Sequence, residues 1–151
     1  MNRILLIDDN MLFCKSLAQT IDWSSIDCEI CGIAYNSEDA KKIIQEKQPD
    51  IVITDIKMPG MDGLDLTQEI KKSYPDCMII VITGYQEFQY AQKALRLGVY
   101  DILLKPIQNQ EVLQTVKSAI DSRGKSNHRT IEEKGYDASD ETIQFQHLRE
   151  L

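Results

Sequence analysis

The sequence predicts an α/β fold with a five-stranded parallel sheet that carries helices on both faces. Five short apolar segments alternate along the chain with longer segments in which apolar residues recur at helical spacing. Such alternation with short connections is typical of parallel strands joined by right-handed crossover helices. The segment Ile51–Thr54 is continuously apolar up to its last residue, which favours a strand buried on both faces. A length of 151 residues suits one domain of ordinary size.

The predicted strands are short runs rich in β-branched and other apolar side chains, which fit a pleated, buried surface. Each run ends in charged or turn-forming residues. In chain order, the predicted strands are Arg3–Ile7, Cys28–Ala34, Ile51–Thr54, Met78–Ile82 and Tyr100–Leu104.

The predicted helices are bounded by residues that favour helix ends. Asn36 or Ser37 can cap the second helix, which ends before Pro49. Pro75 stops the third helix, and Gly98 can end the fourth. The remaining bounds, which are approximate, are Met11–Ile21 for the first helix, Leu64–Ser73 for the third, Gln86–Leu97 for the fourth and Asn109–Ser122 for the fifth. Trp23 is expected to pack over the end of the first helix.

Composition narrows the class of protein. A net charge of −7 argues against direct nucleic-acid binding by this chain, because phosphate contacts need a basic surface. No segment reaches the roughly 18 consecutive apolar residues of a membrane span. The first strand starts almost at Met1 without a signal peptide, so a cytoplasmic protein without membrane association is expected.

The four cysteines include one pair with C-x-x-C spacing, Cys28 and Cys31. This spacing occurs in redox and zinc sites. No second pair exists, however, and both histidines lie in the C-terminal tail. We therefore interpret these cysteines as small apolar residues of a strand, reduced in the cytoplasm.

Polar side chains follow four of the predicted strands at the same end. Asp8 and Asp9 follow the first strand, Asp55 the third, Thr83 the fourth and Lys105 the fifth. Parallel strands bring these groups to one edge of the sheet, where ligands bind in open α/β folds. Three carboxylates at one edge repel each other unless a cation neutralises them, and a hard divalent ion with oxygen ligands suits them.

This set of residues resembles the receiver domain of two-component response regulators over about residues 1 to 122. The family's motifs occur in order as Asp8-Asp9, Asp55, Met58-Pro59-Gly60-Met61-Asp62-Gly63, Thr83-Gly84 and Lys105-Pro106. The flanking segments Gly84–Ala91 and Leu103–Ile107 are similar to receivers that precede an AraC-type DNA-binding domain. The resemblance implies a flavodoxin-like, doubly wound fold with strand order 2-1-3-4-5.

The resemblance also implies the chemistry of the site. Asp55 accepts a phosphoryl group as an acyl phosphate, with a sensor histidine kinase as donor and Mg²⁺ as cofactor. Asp9, Asp55 and the backbone carbonyl of Lys57 are implied direct ligands of Mg²⁺, and Asp8 acts through water. Thr83 and Lys105 contact the phosphoryl oxygens, and the Lys105–Pro106 bond is cis.

A switch follows phosphorylation in this family, on the surface of the fourth helix, fifth strand and fifth helix. That surface is the usual site of dimers and partners. Thr83 belongs to the switch, but Ile102 stands where an aromatic residue is usual. We therefore predict that Tyr85 or Phe88 is the moving aromatic. Tyr100, on the same predicted strand face as Ile102, is the alternative.

Other readings of the same residues stay open at this point. In one alternative, the chain is a receiver-like binding module that signals without phosphorylation. In another, it is a metal-dependent phosphatase or phosphotransferase with an aspartyl nucleophile. The latter enzymes usually carry an acid two residues after the nucleophile, where Lys57 stands here. Single residues also have simpler interpretations. In these, Asp8-Asp9 only caps the first helix, Lys105 is a solvated surface lysine, and Thr83 is an ordinary strand-end hydroxyl.

The composition changes after Ser122. Residues 123–151 are polar and of mixed charge, with weak apolar spacing near the C-terminus, so we predict a linker or tail that is partly helical. It is either a terminal tail or the start of a linker to a DNA-binding domain that this chain lacks. The predicted protein is a signalling switch in transcription regulation, not a multi-turnover enzyme.

Overall fold

The structure is a computed structural model that describes residues 1–57, 63–84 and 88–124. Its strands are β1 (Asn2–Ile7), β2 (Cys28–Ala34), β3 (Ile51–Asp55), β4 (Met78–Thr83) and β5 (Asp101–Leu104). Its helices are α1 (Met11–Thr20), α2 (Ser37–Lys47), α3 (Gly63–Ser73), α4 (Phe88–Arg96) and α5 (Asn109–Gly124). A 3-10 turn, Trp23–Ile26, follows α1.

The five strands form one parallel sheet in the order β2-β1-β3-β4-β5, as expected. The central strand β3 pairs with β1 and β4, and its first four residues, Ile51–Thr54, are buried. A continuous apolar run therefore does correspond to a strand covered on both faces.

Two apolar clusters, one on each face, hold the helices to the sheet. Leu5 and Ile7 of β1 belong to the cluster under α2, α3 and α4, whereas Ile4 and Leu6 belong to the cluster under α1 and α5. This division follows from the alternation of side chains along a strand. The helices thus cover both faces and leave the carboxyl edge of the sheet for polar groups.

The helix ends agree with the predicted signals to within a few residues. The Asn36 side chain accepts the backbone N–H of Asp39 at 2.8 Å and caps α2. Gly98, at a φ of 96°, follows α4. Helix α5 runs two residues beyond the predicted Ser122, and Arg123 forms an ion pair with Asp50 at 2.7 Å.

Trp23 packs over the end of α1, as predicted. Its side chain is buried, and its indole N–H donates to the carbonyl oxygen of Leu17 at 3.3 Å. Because a buried indole needs such a partner, this bond fixes the ring over the last turn of the helix.

The C-x-x-C pair does not form a site. Cys28 belongs to the cluster on the α1–α5 face, whereas Cys31 packs against the opposite cluster. The four cysteines of the chain, all within the described residues, are free thiols. Burial raises the pKa of the Cys28 thiol to about 11, so the thiolate that redox and zinc chemistry need is disfavoured.

Among the described residues, the helices are too short or too polar to cross a membrane. The predicted tail from residue 125 onward lies outside the described residues.

Candidate phosphoryl-acceptor site

The polar strand ends meet at the carboxyl edge of the sheet, as the sequence predicted. Asp55 is the last residue of β3, and Thr83 is the last residue of β4. Asp8 directly follows β1 and Lys105 directly follows β5. The register pairs Asp55 with Ile82 and Thr83 with Leu104, so Thr83 and Lys105 lie one and two residues beyond the level of Asp55 along the sheet.

Three carboxylates form a compact cluster at this edge. One oxygen from each of Asp8, Asp9 and Asp55 can be chosen so that the three atoms lie within 4.8 Å of one another. Asp8 is buried, Asp55 is half-buried and Asp9 is exposed. The cluster therefore opens to solvent on the Asp9 side, where a small ligand can enter.

Asp8 is the most constrained of the three. Its Oδ1 accepts the backbone N–H of Asn10 at 2.9 Å, but its buried Oδ2 has no hydrogen-bond partner among the described residues. Burial, with a contribution from the charge on Asp55, raises the pKa of Asp8 from 3.8 to about 6. An unsatisfied buried carboxylate oxygen is costly and indicates a place for a cation.

Asp55 has one fixed oxygen and one that faces a cation. Its Oδ1 accepts the backbone N–H of Ile56 at 2.8 Å, and the backbone N–H of Lys57 also bonds to this carboxylate. Its Oδ2 lies 3.7 Å from Nζ of Lys105. Burial raises the pKa of Asp55, while Lys105 and the two backbone N–H groups oppose that rise.

Lys105 is directed at the carboxylates of Asp8 and Asp55. Its Nζ lies 3.7 Å from Oδ2 of both Asp8 and Asp55, so it is not an unattached surface lysine. The Lys105–Pro106 peptide bond is cis, as predicted.

Thr83 is fully buried at the strand end, and its hydroxyl donates to the carbonyl oxygen of Gly84 at 3.3 Å. The backbone N–H of Lys105 donates to the carbonyl oxygen of Thr83 at 2.8 Å. This bond joins the ends of β4 and β5, so the two residues are positioned together.

The cap of α1 is Asn10, not the acid pair. The Asn10 side chain accepts the backbone N–H of Phe13 at 3.0 Å. A cap needs only this one acceptor, so the reading of Asp8-Asp9 as a simple helix cap is wrong. The Asn10 cap was not predicted from the sequence, although asparagine is among the residues that favour this position.

The predicted switch residues are only partly described. Tyr85 and the side chain of Phe88 lie outside the described residues, and Ile102 is buried in the cluster under α4. Tyr100 precedes β5 and packs against the opposite cluster. The prediction that Tyr100 shares a face with Ile102 is therefore wrong, because strand alternation does not extend into the preceding turn.

An aromatic contact that the sequence did not reveal joins the site to α4. Nζ of Lys57, two residues after Asp55, lies 5.1 Å from the ring centroid of Tyr90, and Nζ of Lys93 lies 5.8 Å from it. Both distances are within the range of cation–π attraction. The contact of Tyr90 with Lys93 could have been predicted, because residues three apart on a helix are neighbours. Nothing in the sequence indicated the contact with Lys57.

A comparison with protein families decides the class of this domain. The family model described as the response regulator receiver domain matches residues 4–117. The chain belongs to the response regulator receiver family.

Relatives and solved structures agree with this assignment. The chain is 41% identical over 120 residues to the uncharacterized transcriptional regulatory protein YesN of Bacillus subtilis, covering 80% of this chain and 33% of YesN. It is 32% identical over 112 residues to the transcriptional regulatory protein HptR of Staphylococcus aureus, covering 74% of this chain and 44% of HptR. The chain thus spans a third to less than half of these relatives.

Among solved structures, the receiver domain of the response regulator AraT from Geobacillus stearothermophilus is similar at a TM-score of 0.74 and 37% identity, covering 81% of this chain and 97% of that one. A two-component transcriptional regulator AraC from Clostridium phytofermentans is similar at a TM-score of 0.75 and 31% identity, covering 81% and 95%. This chain is therefore a receiver of a two-component system, with relatives that regulate transcription.

The acidic cluster fits the Mg²⁺ that receivers typically bind. Its donors are carboxylate oxygens, which hard divalent cations prefer. The buried Oδ2 of Asp8, which accepts no hydrogen bond from the part of the chain that the structure describes, provides the independent structural sign that a cation belongs here.

Replacing Asp8 by Asn is expected to stabilise the metal-free protein at pH 8 by about 2 kcal/mol. The folded-state pKa of Asp8, about 6, lies above its usual value of 3.8, so ionisation of the carboxylate lowers stability as the pH rises between these two values, and the cost is complete above about pH 6. Protonation of Asp8 removes this cost as the pH falls, so the gain should drop below about 1 kcal/mol at pH 4.5. Urea unfolding with a chelator present measures it, with the exposed Asp121→Asn as control. Destabilisation at pH 8, or an equal gain at both pH values, contradicts the prediction.

Proposed function

We propose that Asp55 is the phosphoryl acceptor of this receiver. The observation that carries the proposal is the environment of its carboxylate. Oδ1 accepts the backbone N–H of Ile56, while Oδ2 faces Lys105 within a cluster of acids. A carboxylate with one restrained oxygen and one oxygen next to a cation is suited to nucleophilic attack on phosphorus.

In the transfer, a bond forms between a carboxylate oxygen of Asp55 and phosphorus. The bond between phosphorus and the donor breaks, and its electron pair leaves with the donor group. Lys105 neutralises negative charge on the phosphoryl oxygens, and its distance of 3.7 Å from Asp55 Oδ2 supports this role. Because such transfer depends mainly on positioning and charge stabilisation, no general base is needed.

Thr83 and the acid cluster complete the proposed site. The Thr83 hydroxyl would exchange its bond to the Gly84 carbonyl for one to a phosphoryl oxygen. Asp8, Asp9, Asp55 and the backbone carbonyl of Lys57 would hold Mg²⁺. That ion, when bound, supplies positive charge to the transferring group.

The donor and the output follow from the family. We infer a sensor histidine kinase as the physiological donor, and therefore one phosphoryl transfer to the protein itself rather than turnover of an external substrate. The named relatives are transcriptional regulators. The net charge of −7 supports an indirect output, through a DNA-binding domain in a longer protein. The four free thiols are consistent with a cytoplasmic setting.

The proposed output surface consists of α4, β5 and α5, and it would bind a second copy or another partner. Thr83 lies next to this surface, while Ile102 is fully buried beneath α4 and has no ring to reorient. We therefore retain Tyr85 and Phe88 as candidates for the moving aromatic residue. The same proposal keeps residues 1–122 as the receiver and residues 123–151 as a connecting or terminal segment.

The proposed function is tested by incubating the protein with Mg²⁺ and acetyl phosphate. Intact-mass spectrometry should show the gain of one phosphoryl group, which is lost in base but stable in acid, and a chelator should prevent the gain. No gain at all would contradict the proposal and favour the phosphorylation-independent module. Multi-turnover hydrolysis of small phosphate esters would favour the phosphatase instead.

A further inference from the structure

The carboxylates alone do not fix the position of Lys105. Its ammonium lies 3.7 Å from each carboxylate oxygen, beyond the roughly 2.7–3.2 Å of an N–H···O hydrogen bond. Its side chain is 39% exposed, and the ammonium is carried at the end of a flexible four-carbon stem. Without another contact, solvent and several rotamers would compete with the orientation seen here.

The aromatic ring of Phe13 supplies that contact. Nζ of Lys105 lies over the ring, 5.5 Å from its centroid. This is inside the distance of about 6 Å at which the negative face of a ring attracts an ammonium. The ammonium is thus held between two carboxylates and an aromatic face.

Phe13 is itself well fixed. Its backbone N–H is bound by the Asn10 side chain in the first turn of α1. Its half-buried side chain packs against the apolar cluster under α1 and α5. The neighbouring Cys14 donates its thiol to the carbonyl oxygen of Asp8 at 3.5 Å, which ties this turn to the acid cluster. These contacts therefore hold the Phe13 ring in a fixed position next to the site.

We propose that Phe13 is a positioning residue for phosphoryl transfer to Asp55. It does not contact the acceptor; it holds the Lys105 ammonium where the phosphoryl oxygens arrive. This inference rests on the proposed function. Because cation–π attraction at partly exposed sites is modest, we expect removal of the ring face to slow transfer by roughly two- to fivefold.

The geometric part is tested without any phosphorylation. NMR of the Lys105 side chain should show an aromatic ring-current shift of its ε-methylene protons. Phe13→Leu, which keeps apolar bulk but lacks a ring, should abolish the shift, and Phe13→Tyr should retain it. A wild-type spectrum without this shift overturns the proposal.

The functional part compares initial rates of phosphorylation by acetyl phosphate at saturating Mg²⁺. Phe13→Leu should be roughly two- to fivefold slower than wild type, and Phe13→Tyr should restore the rate. In a Lys105→Gln background, Phe13→Leu should cause no further loss. Leu17→Met, a volume-conserving change in the same buried helix face, is the matched control and should leave the rate unchanged.

The outcomes separate this inference from the proposed function. A wild type that gains no phosphoryl group refutes the proposed function. If the wild type is phosphorylated and Phe13→Leu reacts at the same rate, only the role of Phe13 is refuted. Calorimetric Mg²⁺ titration of each variant distinguishes a misplaced lysine from a damaged metal site, and equal loss in Phe13→Tyr also overturns the proposal. If Phe13→Leu does not fold, Phe13→Met replaces it.

Discussion

Asp55→Asn is expected to take up no phosphoryl group under conditions in which the wild type takes up one. An amide is a poor nucleophile, so the acyl phosphate cannot form. The substitution keeps the shape of the side chain, and the amide oxygen can still accept the N–H of Ile56 that Oδ1 accepts now. Loss of phosphorylation would therefore report chemistry rather than loss of the fold.

The electrostatics strengthen this prediction. The charge on Asp55 helps to raise the pKa of Asp8, so its removal relieves repulsion in the cluster. The variant should thus be at least as stable as the wild type in urea at pH 8 without metal. Asp121→Asn, an exposed carboxylate on α5, controls for a nonspecific loss of charge and should be phosphorylated normally.

Intact-mass spectrometry after incubation with acetyl phosphate and Mg²⁺ decides the result. Full phosphorylation of Asp55→Asn would mean that another group is the acceptor. A peptide map of the labelled protein would then locate it, with Asp8 and Asp9 as the adjacent acids.

Most of this site was predictable because strand ends are encoded locally. A continuous apolar strand that runs into Asp55 predicts both burial and the position of the acid at the sheet edge. The strand order, the cis bond and the proposed roles of Thr83 and Lys105 came from the family resemblance. Physical chemistry applied to one sequence predicts which residues lie at the edge of the sheet, but it does not predict the order of the strands.

The contacts that complete the site could not be predicted. Phe13 and Lys105 are distant in sequence, and periodicity assigned Phe13 only to the buried stripe of α1. The contact of Lys57 with Tyr90 could not be predicted for the same reason, because it depends on how α4 packs. The error at Tyr100 arose because the strand begins one residue later, at Asp101, where alternation starts.

Gly63→Ala is expected to destabilise the protein by about 3 kcal/mol, at the upper end of typical overpacking costs. A Cβ at this position would collide with backbone atoms, namely the carbonyl oxygen of Asp55 and, at 2.7 and 2.8 Å, Cα and the carbonyl oxygen of Ile56. Backbone atoms cannot rotate away as a side chain can. The N–H of Gly63 also donates to the Ile56 carbonyl at 2.6 Å, which holds the start of α3 against the end of β3.

The expected cost of the clash exceeds the gain in helix propensity that the same substitution brings. Alanine is better than glycine in a helix by about 1 kcal/mol, and Gly63 is the first residue of α3. Relief of the contact must move α3 or the carboxyl end of β3, and a shift of β3 would carry Asp55 with it. Misplacement of reacting groups by about 1 Å can cost a hundredfold in rate, so phosphorylation should fall at least roughly tenfold.

Gly32→Ala is the matched control for Gly63→Ala. Its Cβ would approach Cγ2 of Ile43 at 2.9 Å, and we expect a smaller cost than at Gly63, because a side-chain methyl group rather than backbone must shift. Urea unfolding of both variants, followed by acetyl phosphate labelling under folding conditions, measures stability and reaction separately. If the free energy of unfolding of Gly63→Ala lies within about 0.5 kcal/mol of the wild-type value, the ordinary range for harmless substitutions, then α3 does not approach β3 as closely as described. If it is destabilised yet phosphorylated at the wild-type rate, Gly63 supports the fold without positioning Asp55.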